Sequence, residues 1–407
     1  MTIEFDPRTP ENIANPYPAF AELREKAPVF WSDKLGAWLI TRYDDVKSAF
    51  RDRRLSSDRI RPFIDHMKGD LRKTVEPLGE QLSHWAVFND PPVHTRLRGL
   101  MNKAFTSSAV ERLRDNIAGI VDELLERMLA RPDADFVRDF AYPLPATVIA
   151  DMLGVPRKDV DLLKKWSDDL ATFVLTSRAN PEKYKLAAVG MVEMAEYFTD
   201  FVARRKGVAK DDVTTGLLEA QLQGDALTVD ELVACCVLLL FAGHETTTQL
   251  LANGMWGLLT HPGELAKLKA NIGTVAYVQN AVEEMLRWDG PSLSIVRVAA
   301  EDFAWHGETI ESGDRVFLMQ AAANRDPAIF AEPDRFDVTR AEAKQNIAFG
   351  FGIHFCIGAP LARLEGEIAF SRLIGRLRDA KPRIARPQWS DSLLTRGMKA
   401  LPIELRV

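Results

Sequence analysis

The run Phe349-Gly350-Phe351-Gly352-Ile353-His354-Phe355-Cys356-Ile357-Gly358 brings together a cysteine, a histidine two residues before it and three glycines. Glycines this close mark a backbone that bends sharply or that another group approaches closely. Ala359-Pro360-Leu361-Ala362-Arg363 then opens a helix, with Pro360 in the first turn, where a missing N–H costs little. Cys356 therefore sits in a tight loop feeding a helix N-terminus. Nearby N–H groups and the positive helix end favour a thiolate there. The plain alternative is an inert core cysteine. Zinc is excluded because no second cluster of ligands lies nearby.

A thiolate in a glycine loop suits a large flat cofactor. Gly358 would let a ring plane lie against the backbone, where any Cβ would clash. The stretch resembles, at every fixed position, the heme-binding signature of the cytochromes P-450, Phe-Gly-x-Gly-x-His/Arg-x-Cys-x-Gly. The resemblance implies heme b (iron protoporphyrin IX), with Cys356 as the axial ligand of its iron. Phe349, Gly350, His354 and Gly358 would help to hold the ring. Thiolate ligation pushes electron density onto iron and favours O–O cleavage.

A second constellation is Ala242-Gly243-His244-Glu245-Thr246-Thr247, in the middle of the longest helical pattern. Thr228-Val229-Asp230-Glu231 is a capping box and His261-Pro262 a stop, so the helix spans residues 228–260. At 1.5 Å per residue it is about 48 Å long. Gly243 inside it costs about 1 kcal/mol relative to alanine. A glycine beside an acid and hydroxyls suggests room for a ligand. The alternative is a kink with threonines back-bonding to their own carbonyls. The segment resembles the oxygen-binding motif of the same family, Ala/Gly-Gly-x-Asp/Glu-Thr-Thr/Ser. By that resemblance Thr246 donates a hydrogen bond to bound dioxygen, Glu245 helps to relay protons, and Ala242 and Gly243 lie against heme. His244-Glu245 also begins a zinc-protease pattern, but Thr248 stands where the second histidine belongs.

Two further motifs fall in the family's order. His94 and Arg98 are four apart and share a helix face. In isolation such a pair is a solvated face; the family places its heme propionates there, and cationic donors suit carboxylates. Arg297 is expected as a third propionate partner. Glu284 and Arg287 are three apart and can pair. Alone they read as a surface pair. The family closes this pair into a buried triad with an arginine further on, and Arg335 in Glu332-Pro333-Asp334-Arg335-Phe336 matches that place. The triad would clamp the Cys loop and be costly to half-break.

The elements that must position these residues are mostly helical. Val29–Trp31 and Ala37–Thr41 read as a hairpin, and residues 52–88 as a loop, either an ordinary surface loop or, by resemblance, a mobile one lining the substrate pocket. From Val110 to about Lys206 helical periodicity dominates, with a break at Asn180-Pro181. Residues 274–288 form another helix. Pro291–Val298, Val316–Met319 and Leu393–Leu405 supply strands. No internal repeat or linker marks a domain boundary.

Composition is globular, with 46% hydrophobic and 27% charged residues and a net charge of -6, which argues against a general nucleic-acid binder. Three cysteines, two of them adjacent, are too few for a disulfide framework and fit a reducing cytoplasm. The N-terminus has no signal pattern. The longest apolar run, Leu232 to Gly243, is shorter than the roughly 20 residues that span a bilayer.

The resemblance covers nearly the whole chain. It implies a mainly α fold with small β-sheets, a single cytochrome P-450 heme domain over residues 1–407 of the soluble bacterial type, and no fused reductase. Heme would lie between the 228–260 helix and the helix after Cys356. The implied activity is that of a cytoplasmic, monomeric monooxygenase acting with O₂ on a hydrophobic small molecule. Its electrons would come from a separate ferredoxin or flavodoxin with an NAD(P)H reductase. Arg96, Lys103, Arg112 and Arg363 are the basic patch expected to dock that partner, or else an ordinary solvated surface. Candidate pocket residues are Phe88, Leu238, Phe241, Ala242, Leu293, Ile295 and Leu394, with Ser292 and Ser294 the nearest polar ones. A peroxide-driven peroxygenase of the same fold would replace the acid–alcohol pair that Glu245-Thr246 keeps. A heme sensor or electron carrier, the other rival, usually needs a second axial ligand. No Met or His stands at that place on the helix face, since His244 is turned about 100° from Gly243.

Overall fold

The computed structural model describes residues 3–175, 182–208, 210–222 and 227–406. Helices dominate, and the described residues cluster into two compact units. One takes the chain up to Leu55, Leu113–Leu144 and the residues from Thr246 on; the other takes Ser56–Arg112 and Pro145–Glu245.

The largest sheet belongs to the first unit. Val29–Ser32 pairs antiparallel with Ala37–Ile40, which runs parallel to Arg315–Leu318, and that strand pairs antiparallel with Ile295–Ala299. Alternate side chains point to opposite faces of a strand, and here both faces are covered. Trp38, Ile40, Val316 and Leu318 join one core with Phe50, Phe330 and Ile347. Ala37, Leu39, Val296 and Phe317 join another with Tyr17, Phe20, Leu293 and Leu394. The first core lies under the approach to the Cys loop, and the second holds two of the expected pocket residues.

Helices Arg114–Leu129, Val275–Asp289 and Ala359–Arg376 belong to this unit, with the second half of the 32-residue helix Val229–Thr260. Small residues let them approach closely. A Cβ at Gly254 would lie 2.6 Å from Met285 Sδ and 2.9 Å from the Phe370 ring. One at Gly366 would lie 3.1 Å from Val282.

In the second unit, Val160–Val174 packs on Lys183–Arg205, and Gly190 is what lets the backbones meet: a Cβ there would be 2.9 Å from the Trp166 carbonyl oxygen. The expected loop over 52–88 is largely helical instead, as Ile60–Asp65 and Gly69–Ser83. Pro77 inside the longer helix hides its pattern, yet Val75, Leu78 and Leu82 form a buried face. The capping box of the long helix is present: Glu231 N–H donates to Thr228 Oγ1 at 3.1 Å, and Thr228 N–H to Glu231 Oε2 at 3.0 Å. The break at Asn180-Pro181 lies outside the described residues. Of the Leu393–Leu405 region only Ile403–Arg406 forms a regular strand, paired with Asp379–Pro382. Among the described residues no helix is long and apolar enough to cross a membrane.

Candidate active site

The Cys loop is held by its own backbone. Gly350 N–H donates to Ile347 O at 2.9 Å, Phe355 N–H to Gly352 O at 3.1 Å, and Cys356 N–H to Phe349 O at 3.0 Å. Gly350 and Gly352 take φ of 74° and 73°, the left-handed region that side chains disfavour. Helix Ala359–Arg376 follows, with Pro360 in its first turn.

Gly358 is a glycine for a different reason. Its φ of -81° suits any residue. A Cβ there would have one heavy atom within 4 Å, Cys356 Sγ at 3.9 Å. The protein itself does not require a glycine at this position, whereas a broad group bonded to the sulfur would. Cys356 is half-buried, unlike Cys235 and Cys236, which are buried and whose thiols burial pushes up to about 12. Cys356 is thus the cysteine placed to bind something.

Along the long helix, Leu232–Phe241 and Thr247–Met255 are buried. Between them Ala242 and Thr246 are exposed, and Gly243 and Glu245 are half-exposed. Ala242 and Thr246 are four apart and share a face, so the helix has one open strip at the expected oxygen motif. Gly243 does not make that opening. A Cβ on it would lie 2.9 Å from Ile149 Cγ1, so helix packing demands the glycine and the room lies on the Ala242–Thr246 side. His244 is buried with Nδ1 2.8 Å from the Leu240 carbonyl.

The expected propionate partners fall in both units. His94 is buried and Arg98 half-buried on helix Val93–Ala104, and Arg98 Nε donates to Asn102 Oδ1 at 3.0 Å. Arg297 is buried on its strand, its Nη1 3.1 Å from Val296 O. Of the pocket residues in the second unit, Phe88 stacks on Trp85 at 5.8 Å and Phe241 lies 5.6 Å from the same indole, with Leu238 buried one turn earlier. In the first unit Leu293 N–H donates to Leu394 O at 2.9 Å and both side chains are buried, while Ile295 packs against the core around Phe50. The serines are committed elsewhere. Ser292 Oγ donates to Gln320 Oε1 and Ser294 Oγ to Leu393 O, both at 2.6 Å.

The charge network departs from expectation in one member. Arg287 Nε and Nη2 reach Glu284 at 2.6 and 2.8 Å, both residues buried. The second arginine on Glu284 is Arg340, with Nε 3.2 Å from Oε1. Arg335 points its side chain outward to Glu332 and Asp337 and contributes only its carbonyl, which accepts from Arg287 and Arg340. The chain turns after Pro333 so that Arg340, not Arg335, faces inward. Glu283, missed from the sequence, grips both flanks of the Cys loop: Arg363 Nε at 2.5 Å after it and Asn346 Nδ2 at 2.8 Å before it.

The family model described as Cytochrome P450 matches residues 14–388. The chain belongs to the cytochrome P450 family. It is 39% identical to the cytochrome P450 monooxygenase PikC of Streptomyces venezuelae, over 97% of this chain and 92% of that protein. It is also 39% identical to the vitamin D(3) 25-hydroxylase of Pseudonocardia autotrophica, over 96% and 94%. Among solved structures, the Bacillus subtilis bacillaene polyketide synthase P450 PksS superposes with a TM-score of 0.87 at 36% identity, covering 99% of this chain and all of that one. The fold is the mainly helical P450 fold with small sheets, the cofactor is heme b, and the enzyme is a P450 monooxygenase. The clear side of Cys356 Sγ at Gly358 fits that cofactor.

Proposed function

We propose that this monooxygenase inserts one atom of O₂ into a bulky hydrophobic small molecule, with electrons delivered by a separate ferredoxin or flavodoxin and its NAD(P)H reductase. The observation that carries the reading is Gly358, a glycine that neither backbone angle nor protein packing explains: a Cβ added there would meet only the Cys356 sulfur, at 3.9 Å.

Cys356 is the proposed thiolate ligand. Phe349, Gly350, His354, Gly358, Ala242 and Gly243 would cradle the ring, and His94, Arg98 and Arg297 would meet its two carboxylates. Heme, when bound, supplies the centre at which O₂ is reduced and its O–O bond split. On the open strip, the Thr246 hydroxyl would donate a hydrogen bond into the site and Glu245, one residue before it, would help to relay protons to it. Phe88, Leu238, Phe241, Leu293, Ile295 and Leu394 exclude water from the substrate. Relatives named for vitamin D(3) and for polyketide synthesis support a large apolar substrate. The protein acts as a cytoplasmic monomer without nucleic acid, in keeping with its net charge of -6.

The test is the carbon monoxide spectrum of the reduced protein, followed by coupling. Cys356→His abolishes the thiolate-type band while heme still binds; retention of that band removes Cys356 as ligand. Thr246→Ala keeps substrate binding and heme reduction but yields less product per electron, the difference appearing as hydrogen peroxide. Unchanged coupling removes Thr246 from the mechanism. A wild type that turns over with peroxide and never with O₂ and an electron donor is a peroxygenase.

A further inference from the structure

Gln320 is buried at the start of the short helix Gln320–Ala323, and its side chain joins two parts of the site. Its Nε2 donates to the carbonyl oxygens of Ile347 at 2.6 Å and Ala348 at 3.2 Å. Those two residues lead into Phe349, whose own carbonyl accepts from the Cys356 N–H. On the other side of the amide, Gln320 Oε1 lies 2.6 Å from Ser292 Oγ. One glutamine thus ties Ser292 to the stretch that carries the Cys loop.

Chemistry fixes the direction of every proton in this chain of contacts. A carbonyl oxygen only accepts, so the Gln320 amide must turn its NH₂ toward Ile347 and Ala348. Its oxygen then faces Ser292. Two oxygens 2.6 Å apart share one proton, and the serine holds the only one. Ser292 Oγ is therefore a committed donor, and only its lone pairs are left for another partner. To donate elsewhere it would have to leave Gln320 Oε1, which accepts from no other group among the described residues. A buried acceptor stripped of its donor is destabilising. Ser294 Oγ is committed in the same way, to Leu393 O, but Ser294 is buried whereas Ser292 is half-exposed. Of the two serines, Ser292 is the one that another molecule can reach.

We propose that Ser292 is a specificity residue that reads a hydrogen-bond donor, so that the substrate carries a hydroxyl or N–H group on an otherwise apolar frame. The proposal rests on the monooxygenase reading above, which puts substrate against Leu293, Ile295 and Leu394, and it narrows the substrate class. Gln320 is a positioning residue, which acts on substrate only by holding the serine proton. A ketone or ether oxygen brought to Ser292 meets lone pairs and is left unpaired in an apolar wall. A hydroxyl hydrogen meets an acceptor there. Discrimination is large where a buried polar group goes unmatched. A serine free to rotate would take both ligands, donating to a ketone and accepting from an alcohol. The glutamine makes an indifferent hydroxyl one-directional.

The test titrates the holoprotein with three probes that share one bulky apolar ring: cyclododecanol, cyclododecanone and cyclododecyl methyl ether. Each dissociation constant is read from the shift of the heme spectrum to its high-spin form; an alcohol bound directly to iron gives the opposite shift and is not counted. Wild type binds the alcohol about tenfold or more tightly than the ketone or the ether. Ser292→Ala, which removes one hydroxyl, weakens alcohol binding and leaves ketone binding within about twofold, so the preference disappears. Ser292→Thr keeps the hydroxyl and keeps the preference. Gln320→Leu frees the serine proton, and ketone binding tightens by about threefold or more. A merely structural glutamine would weaken all three probes alike on removal. The dithionite-reduced carbon monoxide band of each variant reports whether heme and thiolate are intact. If Gln320→Leu loses that band, Ser292→Ala and Ser292→Thr decide the question alone. Alcohol and ketone affinities within about twofold of each other in wild type overturn the proposal, as does a preference that survives Ser292→Ala. A wild type with no thiolate-type band, or one whose spectrum none of the three probes shifts, instead overturns the reading beneath.

Discussion

Glu284 and Glu365 are both completely buried in the same unit, on helices that pack against each other, and they are opposites in chemistry. Glu284 receives Arg287, Arg340 and the Asp337 N–H. Neither carboxyl oxygen of Glu365 has a hydrogen-bond partner. For one glutamate, three groups supply donors in place of the water it lost. The other meets only desolvation, which weakens its acidity and holds its pKa well above the ordinary carboxylate range. Burial alone does not decide what a carboxyl does; the donors that come with it do.

The paired glutamate should be the more damaging to remove. Glu284→Ala leaves Arg287 buried beside Arg340 with no counter-charge, and breaking a buried network from one side costs about 3–5 kcal/mol. Urea unfolding and the heme content of purified protein measure it. Normal yield and an unshifted midpoint would mean that the network contributes little.

Which arginine completes the network is a sharper question. Arg340→Ala removes a charged hydrogen bond to Glu284 and donors to the carbonyls of Ala331, Glu332 and Arg335. A loss of about 2 kcal/mol is expected. Arg335→Ala takes away only an exposed side chain and should change stability by less than about 0.5 kcal/mol. Reversed magnitudes in a denaturant titration would restore Arg335 to the network.

That pair shows where sequence reasoning stops. The Cys loop was readable because glycines, Pro360 and Cys356 state local backbone and ligand requirements. The long helix announced itself through Thr228 and Glu231, and the Glu284–Arg287 spacing is a property of any helix. Arg340 is a partner at a separation of 56 residues, chosen by how the chain turns after Pro333, and no local pattern reports that. That a Cβ at Gly243 would meet Ile149, almost a hundred residues earlier, is likewise not local. Glu365 reads as one of two acids in Arg363-Leu364-Glu365-Gly366-Glu367. Its burial follows from the neighbours of helix Ala359–Arg376, as Leu250 and Val282 against Gly366 show.

The lone glutamate gives the smallest effect and the cleanest signature, because it shows in pH rather than in a midpoint. Its acidity is weakened in the folded protein relative to the ordinary value of 4.5 in the unfolded chain. Between those two values the folded state binds the extra proton. Stability from this group is therefore fully present below about pH 4.5 and declines as pH rises toward the folded value, by about 1.4 kcal/mol for each unit crossed. Glu365→Gln keeps the shape and cannot ionise. Its melting temperature should track wild type at pH 5 and exceed it increasingly toward pH 8, whereas Glu367→Gln, whose carboxylate is paired with Arg114 at 2.7 Å, should show no such divergence. Parallel profiles for wild type and Glu365→Gln across that range would mean that Glu365 has found a donor, and the contrast with Glu284 would collapse.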